Sequence, residues 1–134
     1  MPTLIVRHSV ALSDAAQAHL ARTLTTIAAD TLGKRAEVTA VVFEPVAAAR
    51  WWIGGEPAQR PTAMLEIRIT AGTNTVEQKA RFIEAADAAL QRHLAPDAAL
   101  DEASYVVVHE LPATDWGYDG LTQRARQLQR VPSL

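Results

Sequence analysis

The sequence predicts an α/β (α+β) chain made of two β-α-β units in tandem, which together form a four-stranded sheet with two helices on one face. Three observations predict it. A strand–helix–strand pattern occurs twice within 134 residues. Each helix opens on a capping residue, Ser13 in the first unit and Thr75 in the second. An aromatic-glycine turn follows each closing strand, Trp51-Trp52-Ile53-Gly54-Gly55 and then Trp116-Gly117-Tyr118-Asp119-Gly120. Such self-similarity is the signature of a duplicated unit.

Residues Thr3 to Val10 are rich in apolar and β-branched types and read as the first strand. Ser13 then caps a helix, and Asp14 suits the positive end of its dipole. Ala16, Leu20, Leu24, Ile27 and Ala28 recur at helical spacing, and Gly33 ends the run. Val38 to Phe43 forms the second strand. In the second unit Met64 to Thr70 alternates, with Leu65, Ile67 and Ile69 on one face. Thr75 to Gln78 is a capping box, and Ile83, Ala86, Leu90 and Leu94 form the buried stripe of the second helix. Pro96 bars that helix from continuing. Tyr105 to His109 is the fourth strand. The spacing of the two helix starts pairs Pro2 with Met64.

The chain is expected to form a single domain over 1–134, with pseudo-repeats 2–60 and 63–120 and a C-terminal arm 121–134. The arm reads as a short helix or as a segment lying on a neighbouring chain. A helical crossover makes the strands within each unit parallel. The fourth strand is apolar on both faces (Val106, Val107, Val108), so burial of the second sheet face by oligomerisation is expected.

Composition narrows the function classes. The chain is 49% apolar with a formal net charge of -2, so no strong field suggests a nucleic-acid partner. It has no cysteine, which excludes thiolate catalysis and disulfides. The histidines His8, His19, His93 and His109 form no short ligand pair, and no metal or other cofactor is expected. No signal peptide or membrane span is read, so a cytoplasmic location without membrane attachment is the expectation.

These features resemble the 4-oxalocrotonate tautomerase branch of the tautomerase superfamily. Pro2 directly follows Met1, a strand then leads to a Ser-Asp-capped helix, and Glu77-Gln78-Lys79 opens the second helix. The run Trp-Trp-Ile-Gly-Gly-Glu at 51–56 is similar to the family's Phe-Gly-Ile-Gly-Gly-Glu turn. The resemblance implies a tautomerase/MIF-like fold with fused subunits, assembled as a homotrimer. It also implies a cofactor-independent isomerase that interconverts the enol and keto forms of a small 2-oxo acid. Pro2 is its catalytic residue: removal of Met1 turns an amide nitrogen into a secondary amine, which an apolar pocket tunes toward operating pH.

The resemblance places family arginines at Leu12 and Thr39, where this chain has none. Arg68 in the third strand is the leading substitute for binding a small carboxylate substrate, the other reading being an ion pair with Glu66 or another acid. Tyr105 matches a tyrosine near the site in fused members, and its other reading is half-buried packing. Trp51 matches the pocket phenylalanine, Trp116 is its second-half counterpart, and Arg7 is a weaker binding candidate. Lys34, after the first helix, is another weak binding candidate, its other reading being a solvated cap at the helix end. A second functional reading is a dehalogenase/hydratase or decarboxylase, in which Glu110 or Asp115 activates water. A third is a catalytically weak binding or scaffold member.

Overall fold

The computed structural model describes residues 2–130. The fate of Met1 and the end of the expected arm, 131–134, lie outside the described residues. The chain runs through strand β1 (Thr3–His8), helix α1 (Asp14–Leu32) and strand β2 (Ala40–Pro45). A two-stranded hairpin follows, β3 (Trp52–Ile53) and β4 (Glu56–Pro57). The second unit is β5 (Ala63–Thr70), helix α2 (Val76–Leu94) and β6 (Tyr105–Leu111). A second hairpin, β7 (Gly117–Tyr118) and β8 (Leu121–Thr122), leads into helix α3 (Gln123–Arg130). Among the described residues, no helix is long and apolar enough to cross a membrane.

The main sheet has the order β2-β1-β5-β6. β1 and β2 are parallel, as are β5 and β6, while β1 and β5 run antiparallel. Local chemistry sets the helices. The Ser13 hydroxyl accepts from Ala16 N–H at 3.1 Å. Gly33, at φ 67°, turns the chain into the left-handed region, so that its own N–H and that of Lys34 reach Ala29 and Ala28 carbonyls. At α2 the capping box is complete: Gln78 N–H donates to the Thr75 hydroxyl, and the Gln78 side chain accepts from Thr75 N–H.

The core lies between one sheet face and the two long helices, with Leu4, Val6, Leu65 and Ile67 against Leu20, Leu24, Phe82 and Leu90. Three expectations need correction. Ile83 is 40% exposed, and Phe82 is buried in its place. Both residues lie within one turn of Ala86, and the larger aromatic takes the inward position. The second strand begins later than expected, at Ala40, because Ala36–Val38 forms a 3-10 turn first. The pleat also pairs Pro2 with Ala63 rather than Met64. Pro2, Leu4 and Val6 face the helices in β1, and Ala63, Leu65 and Ile67 do so in β5.

The other sheet face carries Ile5, Val42 and Val107 around a ladder of charges. Arg7 bridges Glu44 at 2.9 Å and Glu66 at 2.8 Å, and His109 meets Glu66 at 3.0 Å.

Candidate active site

Pro2 is fully buried at the start of the central strand β1. Its carbonyl accepts from Ala40 N–H at 3.2 Å, which fixes it against the start of β2. On the other side, the antiparallel register sets Thr3 opposite Arg68, so Pro2 lies beside Ile69, near the end of β5.

Arg68 projects from the sheet face away from the helices, between Thr3 on β1 and His109 on β6. Its Nη1 is buried without a hydrogen-bond partner among the described residues. Glu66 does not supply one within the chain, because its two oxygens take Arg7 and His109. Those same contacts hold the Glu66 carboxyl below its ordinary pKa, the His109 hydrogen bond most of all. A buried guanidinium nitrogen with no acceptor is expensive for a folded chain and points to a partner supplied from outside it.

Trp116 closes the same end. Its indole N–H donates to the Thr70 hydroxyl at 3.2 Å. Gly117 is required after it, because a Cβ there would collide with the Leu121 carbonyl oxygen. The hairpin then seats α3. Gln123 N–H donates to Trp116 O and Arg124 N–H to Ala113 O, at 2.9 and 2.8 Å. The Arg126 guanidinium stacks 4.5 Å over the Tyr118 ring. Gln123 is left only 5% exposed. The described part of the C-terminal segment thus folds as a helix against its own chain.

The remaining sequence candidates gather at the opposite end of the sheet. Tyr105 is paired with Met64 on β5, and Arg7 is opposite Met64 on β1. Trp51, Trp52, Met64 and Tyr105 line an apolar hollow of about 400 Å³. Trp52 is 62% and Tyr105 61% exposed. Five strand residues at ~3.3 Å each put this hollow on the order of 16 Å from Pro2 within one chain. The structure therefore brings Pro2, Arg68 and Trp116 to one end and Trp51, Tyr105 and Arg7 to the other.

Glu110 is held by Lys79 at 2.6 Å and also accepts from Gly72 N–H. The Lys79 hydrogen bond keeps its pKa below the ordinary value, so Glu110 is an ion-paired carboxylate rather than a ready proton acceptor. Asp115 is exposed and accepts from Thr114 at 2.7 Å. Leu12 packs on the core, and Thr39 donates to Arg35 O, so neither position supplies a cation. Lys34, a weaker binding candidate whose other reading was a solvated cap, is half-buried beside Thr70 and α3 in a cavity at the Pro2 end. Only a forecast that the C-terminal helix folds back would have shown that it is half-buried.

The profile of the family described as “Putative oxalocrotonate tautomerase enzyme” matches residues 1–128. None of the curated proteins matches. Among solved structures, “Q0 fused 4-OT wild type symmetric trimer” is 28% identical, with a TM-score of 0.80 over 92% of this chain and 98% of that one. “Native Fused 4-OT” is 29% identical, with a TM-score of 0.77 over 92% and 97%. N1, a member of the cis-3-chloroacrylic acid dehalogenase family, is 19% identical with a TM-score of 0.77 over 97% and 92%, a likeness of fold alone.

Proposed function

This chain belongs to the oxalocrotonate tautomerase family, and from that premise we propose that it is a cofactor-independent tautomerase of small 2-oxo acids, with Pro2 as the base once Met1 is removed. The observation that carries the reading is the burial of Pro2 beside the end of β5, one register step from Arg68, whose buried Nη1 has no hydrogen-bond partner among the described residues.

An α-amino group ordinarily titrates at about 7.7–8.0, and desolvation favours its neutral form. The neutral amine takes a proton from the carbon next to the substrate's carbonyl. The electron pair of that C–H bond moves to the carbonyl oxygen, giving an enolate. Arg68 projects from the outer sheet face one register step from Pro2, and reaching round the sheet end its cation would stabilise the developing charge. The protonated amine then returns the proton to the oxygen, or the sequence runs in reverse from the enol. Trp116 walls the site from water. Trp51, Tyr105 and Arg7 reach a Pro2 site only from a neighbouring chain. A homotrimer would do this, and it would also cover Ile5 and Val42 on the outer sheet face.

The test compares the processed protein with a form that retains Met1, both verified by mass spectrometry. With phenylenolpyruvate, the Met1 form should lose about 10²–10⁴-fold in turnover, the usual contribution of a positioned base. Equal turnover in the two forms would overturn the proposal. Halide release from a 3-haloacrylate without loss of the enol would assign the chain to hydration chemistry instead.

A further inference from the structure

On the helix layer of the molecule, His19 and His93 face each other. His19 is in the second turn of α1 and His93 in the last turn of α2, so the two helices run antiparallel there. The rings meet edge to face, 4.7 Å between centroids. His19, Arg22 and Arg92 line a surface hollow of about 350 Å³ together with Thr23, Thr26 and Ile27. His93 borders it through the His19 ring and its neighbour Arg92. No acidic residue lines the hollow among the described residues. The ion pairs of the described residues engage Arg7, Arg35, Lys79, His109 and Arg126, and none of these four side chains.

The dipole of α2 accounts for Arg92 and His93, because the last turn of a helix favours positive charge. It does not account for His19 and Arg22, which α1 brings to the same place near its own positive end. Burial first, and then His19 and Arg92, hold the His93 imidazole below its ordinary pKa. The charged groups facing it, His19 from α1 and Arg92 on α2, thus act in one direction. An anion relieves repulsion of this kind, and guanidinium forks are the donors that match phosphate oxygens. A phosphoryl group is close to doubly charged near neutral pH and brings three acceptor oxygens, one more than a carboxylate. We infer that His19, Arg22, Arg92 and His93 form a binding site for a phosphoryl dianion, free or carried on a small ester. The trimer proposed above covers the opposite, outer sheet face and leaves this hollow accessible. The inference is independent of Pro2 chemistry.

The four histidines give four imidazole Cε1–H signals that NMR follows separately. The full chain is titrated with inorganic phosphate and, in a second arm, with glycerol phosphate, at constant ionic strength because exposed charges are screened. The His19 and His93 signals should shift saturably with a Kd of about 1 mM or below, the yield of two hydrogen bonds to a charged group. At saturation the His93 midpoint should rise by about one pH unit. His8, buried in the core, should stay in place. Arg22 is exposed, so Arg22→Gln should keep the fold and weaken phosphate about threefold to tenfold. Arg22→Lys should recover part of the loss. Whichever arm binds more tightly names the source of the phosphoryl group. His19 and His93 signals that stay still in both arms overturn the inference, as does unchanged affinity in Arg22→Gln. A shift confined to His109 also overturns it, because it would put the anion at the neighbouring Arg68. Zinc that moves the two signals where phosphate does not would make the imidazole pair a metal site instead. None of these readouts uses turnover, so the Met1 comparison and this titration fail separately.

Discussion

At the Ala63 end of the sheet, the first hairpin passes through Ala58, whose N–H donates to Trp51 O, straight into the linker toward β5. At the Pro2 end, the second hairpin continues into α3, which covers Thr70 and Lys34. The two ends are built from the same unit and a related aromatic-glycine turn, yet one is a wide aromatic hollow and the other a smaller, cation-lined cavity. Duplication thus supplies two equivalent frames. What the chain does after each frame decides which becomes a site: a helix that folds back excludes water, and a linker that moves on leaves tryptophan exposed.

The largest test of this contrast is Arg68→Met. Methionine keeps much of the volume and removes the buried Nη1 that lacks an acceptor. If that nitrogen is kept for a ligand, turnover and stability should move in opposite directions. kcat/KM should fall about tenfold to a hundredfold, the worth of a hydrogen bond to a charged group. Stability in urea should be unchanged or higher by about 1 kcal/mol, because an unsatisfied group is removed. A loss of both would make Arg68 a structural residue. Methionine introduced for Arg7 should behave differently and destabilise, because Glu44 and Glu66 would lose their shared partner.

Much of this frame was legible in the sequence because its determinants are local. Ser13, Thr75 with Gln78, and Gly33 act on backbone groups within a few residues of themselves, and each does what its type and position predict. The choice between Phe82 and Ile83 was not legible, since periodicity alone tolerates either. For Lys34 the sequence left two readings open, a binding candidate and a solvated cap, because a lysine after a helix end is usually solvated and the wall beside it includes α3, contributed by the far end of the chain. Candidate residues were likewise legible as types, while their division between two ends of the sheet depends on the antiparallel β1–β5 register.

A smaller effect separates the two turn tryptophans. Trp116→Phe removes the indole bond to Thr70 and should lower stability by about 1 kcal/mol, the net worth of one such bond. Because α3 rests on the same hairpin, amide exchange in α3 should quicken as well. Trp51→Phe loses no intrachain hydrogen bond among the described residues, so in the isolated chain it should cost less and leave α3 exchange unchanged. Equal effects from the two substitutions would mean that the hairpins are equivalent in more than sequence, and that α3 is anchored elsewhere.

The smallest effect concerns acid. Glu66 ties the two ends together across the outer face, accepting from Arg7 toward the Ala63 end and meeting His109, the register partner of Arg68. Its folded pKa lies below the ordinary 4.5, through the His109 bond first and the Arg7 bond next. The unfolded chain therefore binds its proton at a higher pH than the folded chain does. The stabilisation is complete above about 4.5 and disappears as pH falls through the lower, folded value. Solvent screening limits it to about 0.5–1 kcal/mol. In Glu66→Gln, the stability lost between neutral pH and strong acid should shrink by that amount, read from urea midpoints at each pH. An unchanged acid slope would show that Arg7 gains nothing from Glu66 beyond what Glu44 already gives it, and that the ladder does not couple the two ends.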